Sequence, residues 1–549
     1  MPLSDRMQIS RIKIKNFRCF QELDINVQQT HALIGENGCG KTTLLEAINL
    51  ATSSGLPHLT EQDFHNSDQG DISIEVFFSE PFISRIPDGY TTQDIPCQSV
   101  LLTAHRRTRA AGGKALSEPF VSEKYAVPME YTNQSIPSVA TGDARVNIPN
   151  AITKTASGYE SPRRTGTSVF RFTPNRLTLQ NETINYPNVF YFGRDREEQS
   201  KVGYNSLLQR VAKDLNWRYR KDWNQEDIES KWNEFYQAVI STVENPKNGR
   251  IIEPLQEKLK RIAGVEFDNL EMGLLDIEQP FSHTFLSRRE GTNQIDQKHF
   301  GSGISILLAY FLLETISKLS KETVIFLIDE PELHLHPQLQ QSLFKEFTQS
   351  GLQTIYTTQS DCFIDIAEWR SVSRFQPDFT IAPKEPQLEQ QLEDKKLHEH
   401  LDEIKQWHQH HSIFFKEDNQ IFFARRCLLV EGPAEKYGLP VLAQKLGRNL
   451  DNLTIITCNG KGKIPYYQLL CKSFGIPFFT LFDLDGRQAT TGDNKRPYEW
   501  ADASARSTFS TSFETLLGTN TAGHKASDTL IAIDTMTIDN IPQEIKDAL

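Results

Sequence analysis

A glycine-rich loop followed by lysine and threonine is the first group of residues whose types and spacing suit chemistry. The run Gly35-Glu-Asn-Gly38-Cys-Gly40-Lys41-Thr42 fits the pattern G-x-x-x-x-G-K-[ST] and stands between a predicted strand and a predicted helix. Backbone N–H groups of such a loop hold phosphates, the lysine contacts the β- and γ-phosphates, and the hydroxyl contacts Mg²⁺. The motif predicts an ATP site with the following members: Gly35, Asn37, Gly38, Gly40, Lys41, Thr42 and Thr43.

Two carboxylates follow an almost purely apolar strand that is predicted over residues 323–328. An acid at the end of a buried strand is costly unless it binds a cation or a donor, so Asp329 is expected to share Mg²⁺ with Thr42. Glu330 is then placed to orient a hydrolytic water. The alternative is that both residues are solvated acids at the end of a strand.

Small residues open a predicted buried helix at residues 304–314. Ser302 and Gly303 lie immediately before it, and small residues at the start of a helix suit a bound phosphate. These two residues are therefore further candidates for contact with the nucleotide.

A second group of acids lies in the last quarter of the chain. Glu431 ends one predicted strand, Glu435 begins the following helix, and Asp483 and Asp485 end a later strand. Strands and helices alternate here, which predicts a parallel sheet whose carboxyl edge gathers these side chains. Clustered carboxylates repel one another unless divalent cations bind, and oxygen ligands suit Mg²⁺ or Mn²⁺. Two such ions can stabilise the attacking and leaving oxygens of a phosphodiester. The alternative is an acidic surface turn.

The N-terminal motifs together resemble the ABC-type ATPases of the recombination-repair and chromosome-maintenance class, which are RecF/SMC-like. The strand IKIKNFRCF, the phosphate loop, the Gly-Ser-Gly signature and the run IDEPELHLHP carry this resemblance over about residues 7–370. It implies that Ser302 and Gly303 of one subunit cap the nucleotide of another, so we expect a homodimer or higher homo-oligomer. Where that family places a switch histidine, this sequence has Gln359. Glutamine can contact a γ-phosphate but cannot carry a proton, so we expect slow hydrolysis.

The C-terminal acids resemble the TOPRIM domain of topoisomerases, primases and related nucleases. The resemblance implies that Glu431, Asp483 and Asp485 are catalytic, and that the metal ligands include Glu435 and the later Glu514. It also implies a C-terminal catalytic lysine, for which Lys525 is the candidate. Residues 459–464 resemble the glycine-rich turn before the second TOPRIM helix; the alternative is an ordinary turn with solvated lysines.

An ATPase head followed by a TOPRIM domain in one chain resembles the OLD (overcoming lysogenization defect) family of nucleases, whose relatives include the Gabija nuclease and retron-associated effectors. The fold class that this implies is α/β, with the ATPase domain at 1–375, a helical linker at 376–424 and the TOPRIM domain at 425–549. Within the first domain we expect a loop-rich insertion at about 95–190 and a helical segment at about 204–263.

The function that this resemblance implies is a nucleotide-regulated, metal-dependent DNA endonuclease in antiphage defence. Its cofactors would be ATP and Mg²⁺ or Mn²⁺, and a partner encoded alongside could be a reverse transcriptase with its nucleic acid, a helicase or an HNH nuclease. The alternative is a regulatory or scaffold ATPase whose TOPRIM domain is inactive and which controls a partner toxin or nuclease. A repair ATPase that tethers DNA ends ranks last, because residues 204–263 are too few for a long coiled coil.

The composition narrows the classes of protein to which the chain could belong. No apolar run approaches the ~18 residues of a membrane span, the N-terminus has no apolar signal region, and seven single cysteines indicate reduced thiols, so we expect a cytoplasmic protein without membrane contact. The net charge of −12 argues against a surface that is basic throughout. Residues 95–180, however, carry eleven basic side chains, Lys124 among them, against five acids. This segment could contact phosphates, or it could be a solvated loop.

Overall fold

In the computed structural model, the described residues are 7–53, 57, 59–65, 70–88, 91–106, 120–128, 153–155, 158–162, 169–171, 187–193, 250, 252–264, 270–271, 287–290, 293–296, 307–308, 310–311, 314–315, 323–382, 416–518 and 526–549. The chain divides into two compact units. Unit 1 comprises residues 1–33 and 40–358, and unit 2 comprises residues 34–39 and 359–549. The domain limits at residues 375 and 425 remain predictions.

The described part of unit 1 contains two larger sheets, two smaller sheets, three helices with defined bounds, and helical residues at 307–308, 310–311 and 314–315. The strands are β1 (Ile9–Phe17), β2 (Phe20–Asn26), β3 (Thr30–Gly35), β4 (Ile72–Asp88), β5 (Thr91–Arg106), β6 (Phe120–Pro128), β7 (Thr153–Thr155), β8 (Gly158–Pro162), β9 (Val169–Arg171), β10 (Asn188–Phe192), β11 (Leu270–Glu271), β12 (Ser287–Glu290), β13 (Asn293–Asp296), β14 (Val324–Asp329) and β15 (Gln353–Thr357). The helices are α1 (Lys41–Thr52), α2 (Ile252–Ala263) and α3 (Pro337–Gln349).

The first sheet is antiparallel, with strand order β2-β1-β4-β5-β6. In β1 the apolar residues Ile12 and Ile14 are fully buried, while the lysines between and after them are not, as the alternating sequence predicts. Strands β5 and β6 extend this sheet into the segment where we expected loops and short strands. They do so because Leu102 and Ala104 continue the alternation of buried apolar residues.

The second sheet positions the nucleotide motifs. Strands β10, β14, β15 and β3 are parallel neighbours in that order. All six residues of β14 are buried, which explains its unbroken apolar run. Beside it, the described residues of the predicted helix at 304–314 are helical, and Tyr310 packs against Phe326 with ring centroids 4.6 Å apart. The smaller antiparallel sheets are β7-β8-β9 and β11-β12-β13.

Unit 2 contains the second α/β layer. Its strands are β16 (Val372–Phe375), β17 (Arg426–Val430), β18 (Leu453–Thr457), β19 (Phe478–Asp483) and β20 (Arg506–Phe509). Its helices are α4 (Lys416–Asn419), α5 (Pro433–Lys445), α6 (Ile464–Ser473), α7 (Lys495–Trp500), α8 (Phe513–Leu516), α9 (Ala526–Thr535) and α10 (Gln543–Ala548).

Four strands of unit 2 form the parallel sheet that the sequence predicts, in the order β18-β17-β19-β20. A core under this sheet joins β17 and β19 to α5, α9 and α10, with Leu428, Leu481 and Ile533 fully buried. Because all four strands are parallel, their carboxyl ends lie at one edge. No helix in the described ranges is long and apolar enough to cross a membrane. The predicted linker lies outside them, except for its two ends.

Candidate nucleotide and metal sites

The phosphate loop turns from β3 into α1 through glycines with positive φ angles. Gly38 has φ 80° and Gly40 has φ 99°, a backbone region that favours glycine. A Cβ atom at Gly40 would also lie 2.8 Å from the ring of Phe20. The turn leaves the first N–H groups of α1 without helical partners, as an anion site requires. Lys41 is buried at the first helical position, Thr42 and Thr43 are half-buried, and Asn37 is exposed.

Thr42 and Asp329, the two expected Mg²⁺ partners, lie side by side in unit 1. The Thr42 hydroxyl donates to the Asp329 carboxylate, with Oγ1 3.0 Å from Oδ1 and 3.1 Å from Oδ2. Asp329 is completely buried at the end of β14. The hydroxyl of Thr357, on the neighbouring strand β15, also contacts Asp329 Oδ1 at 2.5 Å. The structure therefore brings the phosphate loop and the acidic strand end together.

Glu330 follows Asp329 in a strained backbone conformation. Its φ angle is 50°, and its backbone N–H donates to Thr357 Oγ1 at 2.9 Å. A non-glycine residue in this region is uncommon and is typical of functional sites. Thr357 is not among the residues that the sequence motifs predict. Its only signal was its position one strand away from the acids, in the run Tyr356-Thr-Thr-Gln359.

Of the remaining predicted nucleotide residues, Gln359 is among the described residues. Gln359 is exposed and follows the buried residues Thr357 and Thr358 at the end of β15. Ser302 and Gly303 lie outside the described residues. Their expected role in capping a nucleotide therefore remains a prediction.

The second group of acids lies at the carboxyl edge of the parallel sheet in unit 2. Glu431 follows β17, Asp483 ends β19, and Asp485 lies in the next turn with a φ angle of 52°. That turn is fixed to β20, because Leu484 N donates to Phe509 O at 2.8 Å. Glu435 lies in the first turn of α5, and its Oε2 accepts a hydrogen bond from Gly432 N at 3.1 Å. The predicted convergence of these residues at one edge follows from the parallel order.

Lys461 occupies the centre of this acidic group. It lies in the glycine-rich turn between β18 and α6, and its Nζ donates to Asp483 Oδ1 at 2.6 Å and to Asp485 Oδ2 at 2.7 Å. The same Nζ is 4.0 Å from Glu431 Oε2. Only 8% of the Lys461 side chain is exposed. The alternative of an ordinary turn with solvated lysines is therefore wrong for Lys461.

Burial and mutual repulsion raise the pKa of two of the glutamates. Burial raises the pKa of Glu431 to about 7, and the charges of Asp483, Asp485 and Glu514 add to the shift. Burial likewise raises the pKa of Glu435 to about 8, with Glu431 and Glu514 contributing. The half-buried Glu514, in the first turn of α8, therefore lies near enough to influence both glutamates.

The lysine affects its two aspartates differently because their exposure differs. Burial raises the pKa of Asp483, and the hydrogen bond from Lys461 offsets only part of that effect. Asp485 is 66% exposed, so the same ammonium holds the pKa of Asp485 below its ordinary value. Burial alone would lower the pKa of Lys461, but its hydrogen bonds to both aspartates raise it overall.

The donor chemistry of this cluster fits a hard divalent cation. All the candidate ligands are carboxylates, and Glu431 Oε2 is buried without a hydrogen-bond partner in the described residues. The side chains are not arranged around a metal position, however. In the ranges that the structure describes, no three His, Cys, Asp or Glu residues surround one point that could hold a metal ion. The ammonium of Lys461 lies between the aspartates instead.

Three further basic residues bear on contact with a substrate, and two of them lie among the described residues. Arg425, just before β17, donates to Glu36 Oε1 at 2.9 Å and to Asn452 Oδ1 at 3.1 Å. Lys124, counted in the basic segment, is buried and donates to Ser53 O at 2.6 Å, so it is not a surface contact for phosphate. It is the one basic residue of that segment whose side chain is described. The expected catalytic Lys525 also lies outside the described residues.

Comparison with known proteins agrees with the two groups of motifs. The family described as AAA ATPase domain matches residues 7–364, and the family described as overcoming lysogenization defect protein-like, TOPRIM domain, matches residues 422–485. The "OLD nuclease" of Thermus scotoductus is 24% identical over 87% of this chain and 82% of that protein. The "Old nuclease" of Escherichia phage P2 is 26% identical over 37% of this chain and 36% of that protein.

Among solved structures, the Smc head domain from Pyrococcus furiosus matches with a TM-score of 0.37 and 12% identity, over 68% of this chain and 95% of that chain. The predicted α/β fold class, an ATPase head followed by a C-terminal TOPRIM domain, is confirmed by the two family matches and the sheet order. The chain belongs to the family described as AAA ATPase domain, and that domain precedes an OLD-like TOPRIM domain, so the chain is similar in both parts to the OLD nucleases.

Proposed function

We propose that the protein is a DNA endonuclease that needs a divalent metal ion, is regulated by nucleotide, and acts as an antiphage defence effector. The observation that carries the nuclease proposal is the convergence of Glu431, Asp483 and Asp485 at the carboxyl edge of one parallel sheet. The names of the nuclease relatives support cleavage of nucleic acid, and DNA as the substrate rests on the family resemblance. The defence role rests on the family resemblance alone.

The proposed metal ligands are the carboxylates of the cluster, namely Glu431, Glu435, Asp483, Asp485 and Glu514. Mg²⁺ or Mn²⁺ bound there would supply Lewis-acid stabilisation of the charge that develops on phosphodiester oxygens. The protein itself would hold these carboxylates in position. Strand ends fix Glu431 and Asp483, the capping contact with Gly432 fixes Glu435, and the turn bonded to β20 fixes Asp485.

In unit 1 the ATPase domain implies ATP, and Thr42 and Asp329 are the proposed Mg²⁺ partners of that nucleotide. Glu330 is the proposed residue that orients the hydrolytic water. We further propose that the ATPase heads pair in a homodimer or higher homo-oligomer, which would let Ser302 and Gly303 of one subunit cap the nucleotide of another. The same proposal includes a partner encoded alongside, which would be a reverse transcriptase with its nucleic acid, a helicase or an HNH nuclease.

Replacing Glu431 by alanine tests the nuclease proposal directly. Glu431→Ala should reduce Mg²⁺- or Mn²⁺-dependent cutting of DNA at least about 100-fold, because a ligand of the cluster is lost, while ATP binding stays unchanged. Cutting is measured on supercoiled plasmid with purified full-length protein. Glu499→Ala, which removes an exposed acid from α7, is the matched control. Undiminished cutting by Glu431→Ala would remove the proposed active site.

One observation favours the alternative of a regulatory ATPase whose TOPRIM domain is inactive. Lys461 already neutralises part of the acidic cluster, so the cluster is partly compensated without a divalent cation. Purified protein that binds ATP but cuts no DNA with Mg²⁺ or Mn²⁺, at any nucleotide state, would support this alternative. Cutting that depends on Glu431 would exclude it.

A further inference from the structure

The position of Lys461 is built into the backbone rather than into a flexible surface loop. Gly460 N donates to Glu431 O at 3.0 Å, and Cys458 N donates to Val430 O at 2.8 Å, so the turn is fastened to the end of β17. Asn459 and Gly460 take positive φ angles of 54° and 118° to make this approach. The turn therefore holds the lysine at the carboxyl edge of the sheet.

The ammonium of Lys461 binds two of the carboxylates that would hold a divalent metal ion. Nζ lies 2.6 Å from Asp483 Oδ1 and 2.7 Å from Asp485 Oδ2, which are hydrogen-bond distances for a charged donor. A divalent ion held by Asp483 and Asp485 would lie close to this ammonium, because carboxylate oxygens bind such ions directly. Two cations close together in a half-buried site repel strongly, because little water screens them.

We propose that Lys461 is a tethered cation that competes with the divalent metal for Asp483 and Asp485, and that metal binding requires its ammonium to leave the space between them. This inference rests on the proposed metal site. Lys461 then holds the metal-free acids together and sets a threshold for metal binding. The protein with the lysine displaced is a minor state in the absence of metal, and the apparent metal affinity falls in proportion to the population of that state.

The test measures metal binding rather than cutting. In nucleotide-free full-length protein without DNA, Lys461→Met should bind Mn²⁺ about 10–100-fold more tightly than wild type in calorimetric titration, because a competing state of about 90–99% population is removed. Lys461→Arg, which keeps a positive charge, should bind no more tightly than wild type. Lys472→Met removes the same charge from the exposed end of α6 and should leave Mn²⁺ affinity unchanged.

Thermal unfolding gives a second readout. Lys461→Met should melt at a lower temperature than wild type in EDTA, since unpaired carboxylates repel, and should gain more from Mn²⁺. If Lys461→Met does not fold, Lys461→Gln serves, because its amide can still donate one hydrogen bond without charge. If wild type shows Glu431-dependent Mn²⁺ binding and the uncharged variants bind Mn²⁺ equally or more weakly, the inference about Lys461 is overturned and the metal site remains. Absence of Glu431-dependent Mn²⁺ binding in every variant overturns the metal site itself.

Discussion

At the scale of single residues, Thr357 connects the two acids of the nucleotide site. One hydroxyl contacts the carboxylate of Asp329 at 2.5 Å and accepts from the backbone N–H of Glu330 at 2.9 Å. Such contacts fix the rotamer of a metal-binding acid and the direction of the next side chain. We therefore infer that Thr357 positions both acids without itself contacting nucleotide.

Replacing Thr357 by valine should reduce the ATPase rate about 10–100-fold, in the range found for residues that orient a metal ligand. Nucleotide affinity should fall less, because the phosphate loop keeps its own N–H donors. Steady-state turnover and equilibrium binding of ATP separate the two effects. Thr354→Val makes the same change on the same strand and should retain activity. A valine variant of Thr357 with wild-type turnover would show that the hydroxyl serves packing alone.

At the scale of elements, the start of α5 carries an acid whose ionisation opposes folding. Glu435 is buried, and burial raises its pKa to about 8 from an ordinary value of 4.5. The protonated form is thus favoured in the folded state. The stability that this contributes is present below the unfolded pKa and is lost as the pH rises through the folded value.

Glu435→Gln should therefore become progressively more stable than wild type as the pH rises from about 4.5 to about 8. Glutamine keeps an oxygen that can accept from Gly432 N, so the start of the helix is preserved. The measurement is the difference in melting temperature between variant and wild type in EDTA across this pH range. Glu499→Gln, on the exposed face of α7, should show no such trend. A difference that does not change with pH would contradict the assignment.

At the scale of the whole molecule, a nucleotide site and an acidic cluster occur in one chain. Since Gln359 stands where the resembling ATPases carry a histidine, we expect binding of ATP, rather than rapid turnover, to control cutting.

ATP and a non-hydrolysable analogue should consequently change the rate of DNA cutting to the same extent. Lys41→Ala should remove both responses, because the lysine charge on the phosphates is lost, while Glu431-dependent Mn²⁺ binding remains. Plasmid cutting with each nucleotide is the measurement. Lys345→Ala, which removes an exposed charge from α3, is the control. A response to ATP that the analogue fails to reproduce would show that turnover is required.

The sequence by itself determined which groups of residues could do chemistry and the edge of the sheet where the acids lie. The glycine spacing before Lys41 is local, Glu431 directly follows an apolar strand, and Asp483 ends another. The residue pattern alone therefore predicts where these residues lie. The parallel order then follows from alternating strands and helices, which brings the strand ends to one edge.

Only the tertiary structure decided which distant side chains meet. That Lys461 fills the acidic cluster, that Thr357 bonds Asp329, and that Lys124 is buried against Ser53 are contacts between separate elements. A lysine in a glycine-rich turn or a strand has the same local sequence whether it faces water or a carboxylate. Its partner is set by the packing of chain segments far apart in sequence, and local propensity does not predict that packing.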